Sequence, residues 1–188
     1  MQPDDTTCGP ASLKHALTVL GMRASMKRLI SLCKTGRNGT STKHIIEAAN
    51  KLGLSVLLVE YATLHHLQSA LKHRPKEHKA VLVSYLYDLD DKAEPQPESG
   101  HWAVVASYLS STSRIVLLDS ATGKRKSYDW NDFRMRWWDY DLKRKRLKKN
   151  EPKFRLVKKW QPQLMIVLAR DPESLPYFRT QTARVFIP

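Results

Sequence analysis

Cysteine, glycine and acidic residues are all scarce in this chain, and it has no long apolar run. Its 188 residues include two cysteines, Cys8 and Cys33, and seven glycines. Two cysteines without a secretion signal exclude a disulfide-stapled scaffold, so both are expected as free thiols in a reducing, cytoplasmic setting. No stretch reaches the roughly 18 to 20 apolar residues that span a bilayer. The opening MQPDDTTCGP has neither the basic leader nor the apolar region of a secretion signal. The two cysteines lie far apart and no histidine pair has HExxH context, so no metal or other cofactor is expected. Zinc-finger spacing, an aromatic RNA-binding signature and a heptad array are missing too, which excludes the common nucleic-acid-reading folds. There is no internal repeat.

Against 32 Lys and Arg stand 18 Asp and Glu, a net charge of +14. Residues 143–159, KRKRLKKNEPKFRLVKK, hold ten of the cations and one Glu, and the rest of the chain carries only +5. The excess is therefore a local feature. A solvated surface loop or helix would account for it; so would a binding segment for an anionic partner, whether nucleic acid, a lipid surface or an acidic protein. At this length one domain spanning 1–188 is expected.

The N-terminal third reads as helical. Leu13, Ala16, Leu17 and Leu20 recur at helical spacing before Gly21. Met26, Leu29, Ile30 and Cys33 form a second stripe after Ser25, and Ile45, Ala48, Ala49 and Leu52 a third after Ser41 and Thr42, with Gly36 and Gly53 as stops. From Leu54 the pattern changes to strands: LSVLLVEY, AVLVSYLY after a short helix near 63–73, then GHWAVVASYL and RIVLLDSATG as a hairpin turning at Ser110 to Ser113. DLDDKAEPQPES is a loop, Asp129 caps an aromatic helix WNDFRMRWW, and QLMIVLAR is a further strand, followed by irregular chain. Trp130, Trp137 and Trp138 are expected as packing residues beneath the sheet. Helices first and a mostly antiparallel sheet after them give an α+β domain.

Cys8 is the candidate nucleophile. A free thiol has a pKa near 8.5 and is only a few per cent thiolate at neutral pH, so a catalytic one needs a helix N-terminus and an imidazolium beside it. Pro10 suits a first helical turn, Gly9 leaves room for a substrate, and the unpaired N–H groups of the helix start favour a negative sulfur. Cys33, on an apolar stripe, reads instead as a buried packing residue. His15, His44, His65, His66, His73 and His78 read as structural or solvated.

The segments QPDDTTCGPASL, GHWAVV and LLDSATG, in that order, resemble the double-glycine, bacteriocin-processing cysteine peptidases of the papain-like clan. The likeness runs over roughly residues 2 to 137, includes GTST before the third helix, and leaves the basic segment unexplained. It implies a papain-like fold with Cys8 as nucleophile, His101 as general base, Asp119 orienting the histidine and Gln2 in the oxyanion hole. With a three-residue hairpin loop, Asp119 falls opposite Ala103 on the face that holds His101; a slip of one residue would put it on the other. The implied activity is peptide-bond cleavage through a thioester acyl-enzyme, on a peptide or protein substrate. Family members are commonly joined to membrane-spanning and nucleotide-hydrolysing transporter domains, which these residues do not contain. That leaves open a substrate other than a double-glycine leader, a related amidase, deamidase or acyltransferase, or a catalytically silent papain-like module that binds through its basic surface.

Overall fold

A computed structural model describes residues 1–72, 78–146 and 154–188. Three helices open the chain: α1 (Cys8–Val19), α2 (Met26–Leu32) and α3 (Thr42–Lys51). Ser25 and Ser41 cap α2 and α3 by accepting from the N–H groups of Arg28 and His44. The α1 stripe buries Leu13, Ala16, Leu17 and Leu20, and Gly21 leaves the helix at φ 67°, where a side chain would be strained.

Seven strands form one sheet in the order β5-β4-β3-β2-β8-β1-β9. They are β1 (Ser55–Val59), β2 (Lys79–Leu86), β3 (Gly100–Leu109), β4 (Arg114–Asp119), β5 (Arg125–Asp129), β8 (Met165–Ala169) and β9 (Ala183–Phe186). Every neighbouring pair in this sheet is antiparallel. Strands β1, β2 and β8 are buried at every residue, because α1 to α3 cover one face and a second apolar layer covers the other. This is why their sequences read as unbroken apolar runs. The second layer includes α4 (Leu64–Leu71), α5 (Trp130–Arg136) and the fully buried rings of Tyr85, Phe133 and Trp137. Five α-helices among the described residues and a mostly antiparallel sheet agree with the α+β reading.

Among the described residues, strands β6 (Trp138–Arg146) and β7 (Phe154–Pro162) pair only with each other, in unbroken antiparallel register from Trp138↔Pro162 to Arg146↔Phe154. Neither the loop nor the helix reading of the basic segment holds where it is described, since Lys143 to Arg146 and Phe154 to Lys159 are strands of this arm. The remainder, 147–153, lies outside the described residues, as does His73. Trp138 is also not under the main sheet: it opens β6 and stacks on Trp160, with ring centroids 4.9 Å apart. The last residues are more ordered than the sequence suggests, because β9 pairs with β1. No helix among the described residues is long and apolar enough to cross a membrane.

Candidate active site

Cys8 is the first residue of α1, and among the described residues no side chain caps that helix. The Thr7 hydroxyl, which could have done so, donates to the Asp4 carbonyl at 2.9 Å instead. The helix start thus keeps free N–H groups and its positive dipole end beside the sulfur. Gly9 serves packing rather than substrate access: a Cβ there would lie 2.8 Å from Thr40 Cβ and 3.2 Å from Ile45 Cδ1. This corrects the reading of Gly9 as an opening for the substrate.

Register brings the other two residues together. The hairpin loop has four residues, since Leu109 pairs with Arg114, and a regular ladder from there would place Asp119 opposite Val104, on the wrong face. A bulge between Val105 and Ser107 absorbs the extra residue, so Asp119 pairs with Ala103 after all. His101 lies two residues before Ala103 and therefore on the same face. Its Nε2 is 2.9 Å from Asp119 Oδ1, and Cys8 is among the groups whose influence raises the imidazole.

Asp119 is fully buried and its acceptor capacity is filled. Oδ1 accepts from His101 and from the Ala121 N–H at 3.0 Å; Oδ2 accepts from Tyr87 Oη at 3.1 Å and Thr122 Oγ1 at 3.0 Å. Burial alone would raise this carboxyl, but the hydrogen bonds from His101, Ala121 and Thr122 hold it well below the usual carboxylate range. For His101 burial alone would lower the imidazole, and the bond to Asp119 and the influence of Cys8 outweigh it, raising it to about 9. The arrangement therefore favours imidazolium next to the thiol across the neutral range.

Gln2 is tied to the same corner. Its backbone N–H donates to the Ser120 carbonyl at 2.7 Å, and its Oε1 accepts from Ser120 Oγ at 3.2 Å. Ser120 Oγ lies 3.1 Å from His101 Nε2 and 3.0 Å from the Trp102 carbonyl, which also accepts from Ser12 of α1 at 2.7 Å. Ser120 thus joins the N-terminal segment, β3 and β4. Among the described residues no hydrogen bond links Gln2 to Cys8. Cys33 stands apart: it is fully buried, and burial pushes its thiol up to about 12.

Sequence reasoning missed Tyr87 and Ser120. Tyr87 donates to Asp119 and packs its ring 4.7 Å from that of His101, a role that only register reveals. Ser120 follows Asp119 in the DSATG turn, and its place in that motif was the one available signal. A cleft of about 700 Å³ opens beside Cys8, bounded by Trp102 and Thr40 on one side and by Asp139, Tyr140 and Asp141 of the arm on the other. Its arm wall is fixed at the base, where the Thr42 N–H donates to Asp141 Oδ1 at 3.2 Å and Thr42 Oγ1 to Gln161 Oε1 at 2.9 Å.

A family model described as the peptidase C39 family matches residues 1–149. The chain belongs to that family. It is accordingly an enzyme, a cysteine peptidase or related thiol hydrolase. Two solved structures have the same fold. One is the peptidase domain of Streptococcus ComA, a bifunctional ABC transporter of a quorum-sensing pathway, with TM-score 0.64, 20% identity and coverage of 90% of this chain and 96% of that one. The other is a double-glycine motif protease from an AMS/PCAT transporter in complex with the leader peptide, with TM-score 0.57, 14% identity and coverage of 90% and 88%. No curated protein matches. The peptidase therefore has a papain-like fold, and its family match stops before β7.

Proposed function

We propose that this peptidase cleaves a peptide bond with Cys8 as nucleophile, His101 as acid and base and Asp119 as the group that orients the imidazole. The observation that carries the reading is the 2.9 Å contact of His101 Nε2 with a carboxylate that four donors keep ionised, in an imidazole that also meets a thiol at an uncapped helix start. With Nε2 engaged by Asp119, Nδ1 is the nitrogen that serves the thiol. The Cys8 sulfur attacks the substrate carbonyl carbon, and the tetrahedral oxyanion forms near the free N–H groups of α1. Collapse breaks the C–N bond; the imidazolium gives its proton to the leaving amine, and a thioester remains. Water then attacks the thioester, His101 takes its proton, and the acid product leaves as the thiol is restored.

Gln2 is the side-chain oxyanion donor in this scheme. Its carbonyl oxygen is held by Ser120, which leaves the amide NH₂ free to turn toward the sulfur. Loss of one such donor costs on the order of 100- to 1,000-fold in turnover, so Gln2→Ala should show that loss with Cys8 still open to labelling. Full turnover in Gln2→Ala would leave the oxyanion to backbone N–H groups.

The arm is read as the docking surface for an anionic partner, supported by the exposed Lys143, Arg144, Lys145 and Arg155 with Leu142 and Leu156 among them. Two free cysteines fit a reducing, cytoplasmic setting. Mass spectrometry of a peptide library incubated with wild type and Cys8→Ala tests the reaction. Peptides cut only by wild type support it; hydrolysed side-chain amides would make the enzyme an amidase, and equal cleavage by both proteins would sink the site.

A further inference from the structure

Asp139, the second residue of β6, stands where the arm leaves the domain and is partly buried in the wall of the Cys8 cleft. The Ser84 hydroxyl of β2 bonds its Oδ2, and the Tyr140 N–H donates to its Oδ1 at 2.7 Å. Its carboxylate also presses on Gly100, the residue before His101: a Cβ at position 100 would fall within 2.8 Å of Asp139 Cγ. Gly100 has no positive φ, so the backbone does not ask for glycine there. The approach of Asp139 does.

We propose that Asp139 is a second positioning carboxylate for His101, one that seats the Gly100–His101 end of β3 and adds a negative charge favouring the imidazolium that faces Cys8. The inference rests on His101 being the catalytic base proposed above.

Energetics separate this role from a merely structural one. Burial raises the Asp139 carboxyl to about 6 although the bonds from Ser84 and Tyr140 pull the other way. A carboxyl raised above its ordinary value lowers stability whenever it is ionised, so at neutral pH the charge works against the fold. Asn at this position can keep both hydrogen bonds without the charge. The retained charge therefore points to chemistry, and the group whose charge it answers is one residue from Gly100. Among the described residues no Lys, Arg or His nitrogen lies within ion-pair distance of Asp139. Of the titratable groups around it, Asp141 on its own strand raises it and His101 on β3 lowers it. Asp5 and Cys8 at the start of the chain, Lys34 and Arg37 between α2 and α3, His44 of α3, Glu98 before β3, and Tyr140 and Arg144 of β6 line the rest of the cleft. As pH falls through about 6, Asp139 takes up a proton and its support of the imidazolium is lost.

The test is an NMR titration of the His101 ring, together with kcat/KM against pH, in wild type, Asp139→Asn and Ser84→Ala. In Asp139→Asn the His101 midpoint should fall by about half to one pH unit, a three- to tenfold loss of proton affinity. The basic limb of the profile, where the imidazolium is lost, should move down by the same amount, and the melting temperature should hold or rise. Ser84→Ala removes a bond that lowers Asp139, so the Asp139 carboxyl, followed in the same titration, should titrate at higher pH. An unchanged His101 midpoint and profile in both variants would overturn the proposal. Turnover by Cys8→Ala would instead overturn the proposed function, so the two failures are distinguishable.

Discussion

The β3–β4 pair and the β6–β7 pair are both antiparallel hairpins, and they answer opposite demands. β3–β4 lies inside the large sheet, with apolar layers on both faces, and a bulge corrects its register. Its polar side chains His101, Asp119 and Ser120 are buried and satisfied. Among the described residues β6–β7 is paired only with itself and carries most of its side chains in water, with Lys143, Arg144, Lys145, Arg155, Lys158 and Lys159 exposed. Its register is pinned by cross-strand contacts such as Tyr140 on Trp160, 5.0 Å between ring centroids, and by Lys158 and Tyr140 converging on Glu98. The chemistry proposed for His101 and Asp119 needs atoms fixed to a fraction of an ångström, which packing on both faces supplies. The attraction proposed between the arm and an anionic partner acts through solvent and tolerates an open hairpin.

The hardest way to break that contrast is to remove the reacting groups. Cys8→Ala and His101→Ala should each cut turnover by more than about 1,000-fold with the fold retained, because such groups act as a unit. Asp119→Asn should be milder, since an amide can still hold the imidazole. Residual wild-type rates in either alanine variant, measured on a cleaved library peptide, would refute the division of labour.

A thermodynamic prediction follows from His101. Its folded value is raised from 6.5 to about 9, so its contribution is fully present below pH 6.5 and is lost as pH rises through 9. Urea unfolding at several pH values should show stability falling by about 3 kcal/mol across that window. His101→Ala should flatten it. Cys33, raised from 9 to about 12 by burial, adds its own loss only above pH 9, outside the window. The same slope in His101→Ala would mean that another group titrates there.

Gly100→Ala sharpens the comparison at the seam between the two hairpins. The added methyl must displace Asp139, and overpacking of this kind costs about 1 to 3 kcal/mol. Denaturant melts should show that loss in Gly100→Ala and its partial recovery in Gly100→Ala with Asp139→Ser. No recovery would place the strain elsewhere.

Ala106 tests the bulge itself. It is exposed, and deleting it leaves Leu109 opposite Arg114 and Ala103 opposite Asp119, with side chains alternating regularly between them. Turnover should stay within a few-fold of wild type. A collapse of activity would show that the bulge, beyond absorbing one residue, aims His101.

How much of this was legible depends on which force shaped each segment. Helix stripes such as Leu13, Ala16, Leu17 and Leu20, and runs such as AVLVSYL, are written by burial, and the sequence shows them. The arm is not, because Lys143 to Arg146 and Arg155 to Lys159 have no apolar alternation to mark a strand; their pairing partner is another exposed strand. β5, RKSYD, is hidden for the same reason at the sheet edge. Cys8, His101 and Asp119, the residues of the proposed site, each stand in a local motif that the sequence shows. Tyr87 and Asp139 were not, since they reach the site from the residue after β2 and from β6, through tertiary placement alone.

The smallest effect on turnover is expected from the arm. Lys143, Lys145 and Arg155 lie on the distal half of β6 and β7, outside the described walls of the catalytic cleft. Reversing all three to Glu changes the local charge by six without touching a buried group, and surface substitutions of that kind usually move stability by no more than about 0.5 kcal/mol each. Cleavage of a small neutral peptide should therefore stay within about twofold of wild type. Retention on heparin or on anionic vesicles should fall sharply, and wild-type retention should itself fall steeply with salt, because exposed charges are screened within about 10 Å at 0.1 M. Loss on vesicles alone would make the partner a lipid surface; loss on heparin alone would make it a soluble polyanion. If the triple reversal leaves both unchanged, the cations of the arm serve solubility only, and the contrast between the two hairpins reduces to one between a site and its scaffold.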